Sequence, residues 1–287
     1  LPFPSPATVF HAAPPPPPLS CALPSGVLPR MYKSAEDDSY LLLTNATFQN
    51  PPGLDAAAVG PFGAVTVAAP LPKEFGVEVS EEGSRRMMPV PRRFAGAGED
   101  CLVYGIGIAD SIVFEAQMAR YCRVVAMDCT SDAGKIGAAA KKAGVEFRPW
   151  CVGKDKRLLN KEESRYTEGQ SAGRVYEFYG LKEIMAKLGH ERLTMLKFDI
   201  EGFEWDLFEN EILTLESALL PSVLVFELHT LGANRRFVAP KLVEGRDGRA
   251  VNELFVKLWH LGYRTVSKSV NGGDRFCADF VLIRNYI

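Results

Sequence analysis

The sequence predicts an α/β fold built on a mostly parallel sheet, and three features of its 287 residues carry that expectation. From Asp100 onward, apolar runs of strand length alternate with stretches of helical periodicity, the pattern of βαβ units. The first of these runs leads directly into Gly105-Ile106-Gly107, a glycine turn ahead of a helix that begins near Ser111. The chain closes on two strand-like runs around Asn271-Gly272-Gly273, which reads as an antiparallel hairpin.

In chain order, residues 1–30 are dense in proline, and the run Pro14 to Pro18 lacks backbone donors and favours extended polyproline II, so this part reads as a linker. Residues 31–97 mix short apolar pieces (Tyr40 to Leu43, Ala64 to Val67) with Pro and Gly, which suits an added strand or a cap of unassigned role. The domain is expected over residues 98–287, where ~190 residues suffice for one core. Its strands are Cys101 to Tyr104, Arg123 to Met127, Val145 to Trp150, Leu193 to Phe198 and Val223 to Leu228, followed by a hairpin of Gly262 to Val270 and Arg275 to Ile283. Phe114, Met118 and Tyr121 share one helical face and Val251, Leu254, Phe255, Leu258 and Trp259 another, and these faces should cover the sheet.

Composition narrows the partners. A net charge of -2, from 33 basic and 35 acidic residues, offers no cationic field for a phosphate backbone, so nucleic acid is not expected. No run approaches ~18 apolar residues, and no membrane span is expected. A first residue of Leu1 is compatible with an upstream targeting or anchor segment, which leaves the compartment open. The six cysteines (Cys21, Cys101, Cys122, Cys129, Cys151 and Cys277) contain no CxxC pair and mostly sit in apolar runs, so reduced thiols are expected.

The glycine turn lets backbone approach a ligand. Asp128 ends the second strand 23 residues beyond Gly105, where a carboxylate can accept the hydroxyl hydrogens of a ribose; its alternative role is to cap the segment near Ser131. Together they indicate an adenosine-type ligand. In a dinucleotide fingerprint a third glycine would stand at position 110, but the residue is Asp110, whose charge would compete with a pyrophosphate at the helix N-terminus. S-adenosylmethionine has no phosphate and carries an ammonium and a sulfonium, so it tolerates an acid there, and Glu115 one turn later adds to it. The expected cofactor contacts are Gly105, Ile106, Gly107, Asp110, Glu115, Asp128 with Cys129 beside it, Trp150 and Cys151 near the adenine, and Asp199.

Strand periodicity sends Asp199 and Glu201 to one side of the fourth strand's end, and Glu227 and His229 similarly from the fifth. Four polar groups would then meet at the carboxyl edge of the sheet. His229 is the candidate general base for an acceptor hydroxyl, with Asp199 or Glu201 orienting the acceptor or sharing the proton. The acids from Asp199 to Glu204 also open a helix with apolar positions Trp205, Phe208 and Ile212, so capping is an alternative role for Glu201 and Glu204. Three carboxylates and a histidine could also hold a divalent ion, but without fixed ligand spacing no metal is expected. The polar stretch Lys154 to Gly173 suits a lid, or a solvated insertion.

The run Leu196-Lys197-Phe198-Asp199-Ile200-Glu201-Gly202-Phe203-Glu204-Trp205 resembles the hallmark of FkbM-type methyltransferases, and the likeness extends to Val103 to Gly107, Ala126-Met127-Asp128 and Cys277 to Phe280, covering Asp100 to Ile283. The resemblance implies a Rossmann-like class I fold with a mostly parallel seven-stranded sheet and a C-terminal antiparallel hairpin. It further implies S-adenosylmethionine as donor and O-methylation of a sugar or small metabolite. One departure is Val103, two positions before the first loop glycine, where many such enzymes carry an acid. Two alternatives stay open: a catalytically silent methyltransferase-like binding module, and a nicotinamide-dependent oxidoreductase, against which Asp110 and the terminal hairpin argue.

Overall fold

A computed structural model describes residues 67–68, 76–81, 84–95, 100–153, 176, 178–234, 238–271 and 274–284. The proline-rich linker, Cys21, the polar stretch Lys154 to Gly173 and the Gly272-Gly273 turn lie outside the described residues.

The strands are β1 (Val67–Ala68), β2 (Gly76–Glu81), β3 (Ser84–Pro89), β4 (Leu102–Ile106), β5 (Arg123–Met127), β6 (Glu146–Arg148), β7 (Cys151–Val152), β8 (Phe178–Tyr179), β9 (Met195–Phe198), β10 (Val223–His229), β11 (Tyr263–Val270) and β12 (Cys277–Arg284). The main sheet has the order β1-β11-β12-β10-β9-β4-β5-β6. Neighbours from β10 to β6 pair in parallel, and β12 runs against both β10 and β11. This is the expected mostly parallel seven-stranded Rossmann-like sheet with its C-terminal antiparallel pair, to which β1 adds a two-residue edge. The chain starts in the middle at β4, winds out to β6, and returns to β9 on the other side of β4. The order therefore reverses between β4 and β9, where open α/β sheets place ligands beyond the strand ends.

Among the described residues five helices cover the sheet: α1 (Val113–Met118), α2 (Ala133–Ala143), α3 (Leu181–Leu188), α4 (Glu204–Asp206, continued by a π-helical turn Leu207–Glu211) and α5 (Gly248–His260). Asp132 and Asp247 cap α2 and α5 by accepting two backbone N–H bonds each, at 2.9–3.0 Å. One sheet face packs Tyr104, Ile106, Leu196, Phe198 and Leu228 against α3, α4 and α5. The other packs Val103, Val124 and Met195 against α1 and α2. Burial on both faces explains why β4 is a continuous apolar run rather than an alternating one, and in β9 it encloses even Lys197. Phe198, Phe226 and Phe280 are register partners and stack across β9, β10 and β12 at centroid distances of 5.3 and 5.4 Å. They form a rigid floor one residue below the polar edge.

Some boundaries differ from expectation. The third strand stops at Arg148; Trp150 N–H turns back to Arg148 O (2.8 Å), and Cys151–Val152 pairs instead with Phe178–Tyr179. Tyr121 is 38% exposed, because α1 ends at Met118 and leaves it outside the buried stripe. Val79, Met88 and Phe94 are buried in the same core as Val103 and Phe114, so the β2–β3 hairpin packs on the sheet. Pro and Gly around these short strands hid them.

The reduced-thiol expectation is corrected by two disulfides, Cys101–Cys122 and Cys129–Cys151, each with a Cα–Cα distance of 4.9 Å. Leu102 and Arg123 are register partners in β4 and β5, so the cysteines just before them stand side by side. Cys277 is free and buried. Non-reducing peptide mapping of protein from an oxidising compartment should recover both linked pairs. Removing Cys101–Cys122, which closes a separation of 21 residues, should cost about 3 kcal/mol in denaturant unfolding. Complete alkylation of all four cysteines without reductant would contradict this pairing.

Candidate functional site

The carboxyl ends of β5, β4, β9 and β10 lie side by side, and each contributes one part of the site. At β4 the two glycines are required by protein atoms. Gly107 has φ +71°, and a Cβ there would stand 1.7 Å from the backbone oxygen of Asp199; at Gly105 a Cβ would stand 2.3 Å from a Glu115 carboxyl oxygen. Gly107 N–H donates to Met127 O (3.0 Å) and Asp199 N–H to Ile106 O (3.1 Å), which knits three strand ends into one surface. The Ile106 side chain is buried, so only its backbone faces that edge.

Asp128 ties the glycine turn to β5. Its Oδ1 accepts from Thr130 N (2.7 Å), Thr130 Oγ1 (2.8 Å) and Ser131 N (3.0 Å), while Oδ2 accepts from Ala109 N (2.9 Å). Oδ1 is thus the turn cap weighed from sequence, and Oδ2, with one protein donor on two lone pairs, keeps capacity for a ligand hydroxyl. Ala109 is held at φ +45°, a conformation that non-glycine residues rarely adopt.

At β9 and β10 the structure brings Asp199, Glu201, Glu227 and His229 together. His229 is buried; its Nδ1 lies 3.2 Å from Glu204 Oε1, and its Nε2 lies 3.3 Å from Glu201 Oε2 and 3.7 Å from Glu227 Oε2. Glu204 is fully buried and also accepts from Ile200 N (2.8 Å) and Gly202 N (3.0 Å), which holds Glu201 at φ +53°. Trp205 Nε1 donates to His229 O (2.7 Å), and Asn271 Nδ2 donates to Glu227 Oε1 (3.2 Å). Burial, then the Glu227 carboxylate, push Asp199 well above the usual carboxylate range, against the pull of His229 and Lys197. Burial alone would lower His229, but Glu204, Asp199 and Glu201 together hold it well above the ordinary imidazole value.

With that geometry in view, the chain can be compared with known proteins. The family described as "Methyltransferase domain" matches residues 73–284. The chain belongs to that family. The match begins ahead of β2, so it takes in the hairpin that packs on the sheet. A search of curated proteins finds no match. Among solved structures, the chain is similar to a Methanococcus jannaschii fibrillarin pre-rRNA processing protein (11% identity, 70% of each chain, TM-score 0.40). It is also similar to the N-methyltransferase NodS from Bradyrhizobium japonicum in complex with S-adenosyl-L-homocysteine (12% identity, 68% of this chain and 83% of that one, TM-score 0.32). A third is the bifunctional kinase-methyltransferase WbdD (13% identity, 66% of this chain, TM-score 0.35), of which the chain spans 36%.

Within this methyltransferase domain the remaining predicted contacts fall apart into four groups. Asp110 is exposed on the loop beyond Ala109. Glu115 is 1% exposed and sealed between α1 and the sheet over Gly105, so it supports the strand and does not line the open edge. Cys129 and Cys151 meet as a disulfide beside Asp128, with Phe178, Tyr176 and Phe203 around them, and so offer no thiol. Trp150 packs on Tyr179 at 5.0 Å between centroids. Glu204 is the partner that sequence weighed only as a cap; its three-residue distance from Glu201 on a forming helix turn is the signal for it. Cys277, the register partner of His229, donates to Asp274 O (3.3 Å), and burial with Glu227 pushes its thiol up, away from nucleophilic use. No helix among the described residues is long and apolar enough to cross a membrane.

Proposed function

We propose that the domain transfers a methyl group from S-adenosylmethionine to a hydroxyl of a sugar or small metabolite. The observation that supports this most is the position of the Asp199–His229 cluster directly beside the glycine turn, with Gly107 packed on the Asp199 backbone. Three strand spacings separate the end of β5 from that of β10, ~14 Å along the edge, room for a nucleoside at one end and chemistry at the other. The residues suit a cationic ligand without phosphate: acids, not a basic clamp, line the edge.

Asp128 Oδ2 would accept a ribose hydroxyl, and the Ile106 to Ala109 backbone would bear on the donor. When bound, S-adenosylmethionine supplies a methyl carbon activated by its sulfonium, whose C–S bond breaks with both electrons going to sulfur. Glu201 and Glu227 would orient the acceptor, and the carboxylate–imidazole cluster would take its hydroxyl proton. Alignment of acceptor oxygen and methyl carbon then does much of the work. The first test is a thermal-shift comparison: S-adenosylmethionine at 100 times its dissociation constant should add about 2.7 kcal/mol, and NAD should add none. Stabilisation by NAD alone would reverse the reading. Labelled-methyl assays over a hydroxylated acceptor panel then separate an active enzyme from a silent binding module, which would bind the donor without forming S-adenosylhomocysteine.

A further inference from the structure

We infer that Asp199, Glu201, Glu227 and His229 Nε2 form a binding site for one divalent cation of the oxygen-preferring class, Mn2+ or Mg2+. The ligand atoms of Asp199, Glu201 and His229 all lie within 4.8 Å of one another, and Glu227 reaches the same imidazole nitrogen from the next strand position. A distance of that order is what ligands gathered about a single ion require.

Two further observations point to a cation. Asp199 Oδ1 is enclosed and accepts no hydrogen bond from the described residues, and a buried polar oxygen left in that condition is costly unless a donor or a cation faces it. His229 is also arranged as a ligand. Its Nδ1 is taken by the buried Glu204 carboxylate, which fixes the tautomer and leaves Nε2 directed at the acids, the carboxylate–histidine pairing that accompanies metal-bound imidazoles. Glu227 is likewise fixed from behind, by Asn271.

The donor set selects the ion. Three carboxylates with one imidazole suit Mn2+ and, less tightly, Mg2+, and Cys277 Sγ is turned to Asp274 O (3.3 Å). Strand parity already gathers the four residues at two strand ends, and the folded sheet adds the distances between their ligand atoms. Binding rests on the ligand geometry alone. The role assigned to the ion, holding the acceptor oxygen while its proton passes to a cluster carboxylate, rests on the methyltransferase reading.

The test is a titration of the chelator-stripped full chain with Mn2+ alone, free Mn2+ being read by electron paramagnetic resonance. One Mn2+ should bind per chain, displaced by excess Mg2+. Asp199→Asn and Glu201→Gln should each weaken binding at least tenfold, and Glu253→Gln, an exposed acid on α5, should leave it unchanged. Glu201 is partly exposed, so its variant keeps the test valid if Asp199→Asn unfolds. Mn2+ that stays free to millimolar concentration, or wild-type binding by both cluster variants, overturns the site. Calorimetry with S-adenosylmethionine is run separately: Mn2+ binding without donor binding refutes the methyl-transfer reading and spares the cation site, and the reverse outcome does the opposite.

Discussion

Gly107→Ala is expected to be the most damaging single-methyl change in the domain. Two independent costs coincide there. The backbone sits at φ +71°, where a side chain costs ~1–2 kcal/mol. The new Cβ would also stand 1.7 Å from a backbone carbonyl, that of Asp199, which cannot rotate away. Forcing the strand ends apart adds ~1–3 kcal/mol, for a loss of about 4 kcal/mol in all and a fall in Tm of roughly 10 °C. Because Asp199 N–H is bonded to Ile106 O, the displacement reaches the acid cluster, and any methyl transfer should fall with stability. Gly105→Ala makes the contrast: its φ lies outside the left-handed region, and the obstacle is the buried Glu115 side chain rather than backbone. Circular-dichroism melting of both variants decides the matter, and a Gly107→Ala Tm within 2 °C of wild type would sink the claim that β4 and β9 touch there.

Much of this arrangement is legible before folding is considered. β4, β5, β9 and β10 are apolar runs bounded by polar residues, and buried parallel strands leave that trace. The convergence of Asp199, Glu201, Glu227 and His229 follows from strand parity at two strand ends. What escaped was whatever depends on register. The Cys101–Cys122 and Cys129–Cys151 pairs are separated by 21 and 22 residues, one strand–helix unit each, and such a unit returns the chain to the same level on the adjacent strand. Local spacing rules such as CxxC cannot detect that. Glu115 escaped for a related reason: helical spacing put it one turn into α1, but the sheet face it meets belongs to Gly105, beneath the open edge. The short strand β1 adjoins Ala64 to Val67, a piece that suits an added strand, whereas β2 and β3 are held by their pairing with each other and left no such trace.

Glu204 separates structure from chemistry most sharply. Its carboxylate, fully buried, accepts from two loop amides and faces His229 Nδ1. Glu204→Ala strands all three donors without an acceptor, and losing one partner of a buried charged network costs ~3–5 kcal/mol. Glu204→Gln keeps an oxygen for the amides of Ile200 and Gly202 but removes the charge that fixes the imidazole, so its stability loss should be near 1 kcal/mol. Turnover should nevertheless fall 10- to 100-fold, the range seen when a group that orients a reactive histidine is changed. Donor affinity, set chiefly at Asp128 three strand spacings from His229, should stay unchanged in the Gln variant. A purely structural Glu204 predicts instead that activity tracks Tm, with Gln close to wild type in both. Turnover, donor affinity and Tm measured on the same Gln preparation tell these apart: full turnover with the melting point intact would remove Glu204 from the positioning of His229 and leave it as a cap for the loop.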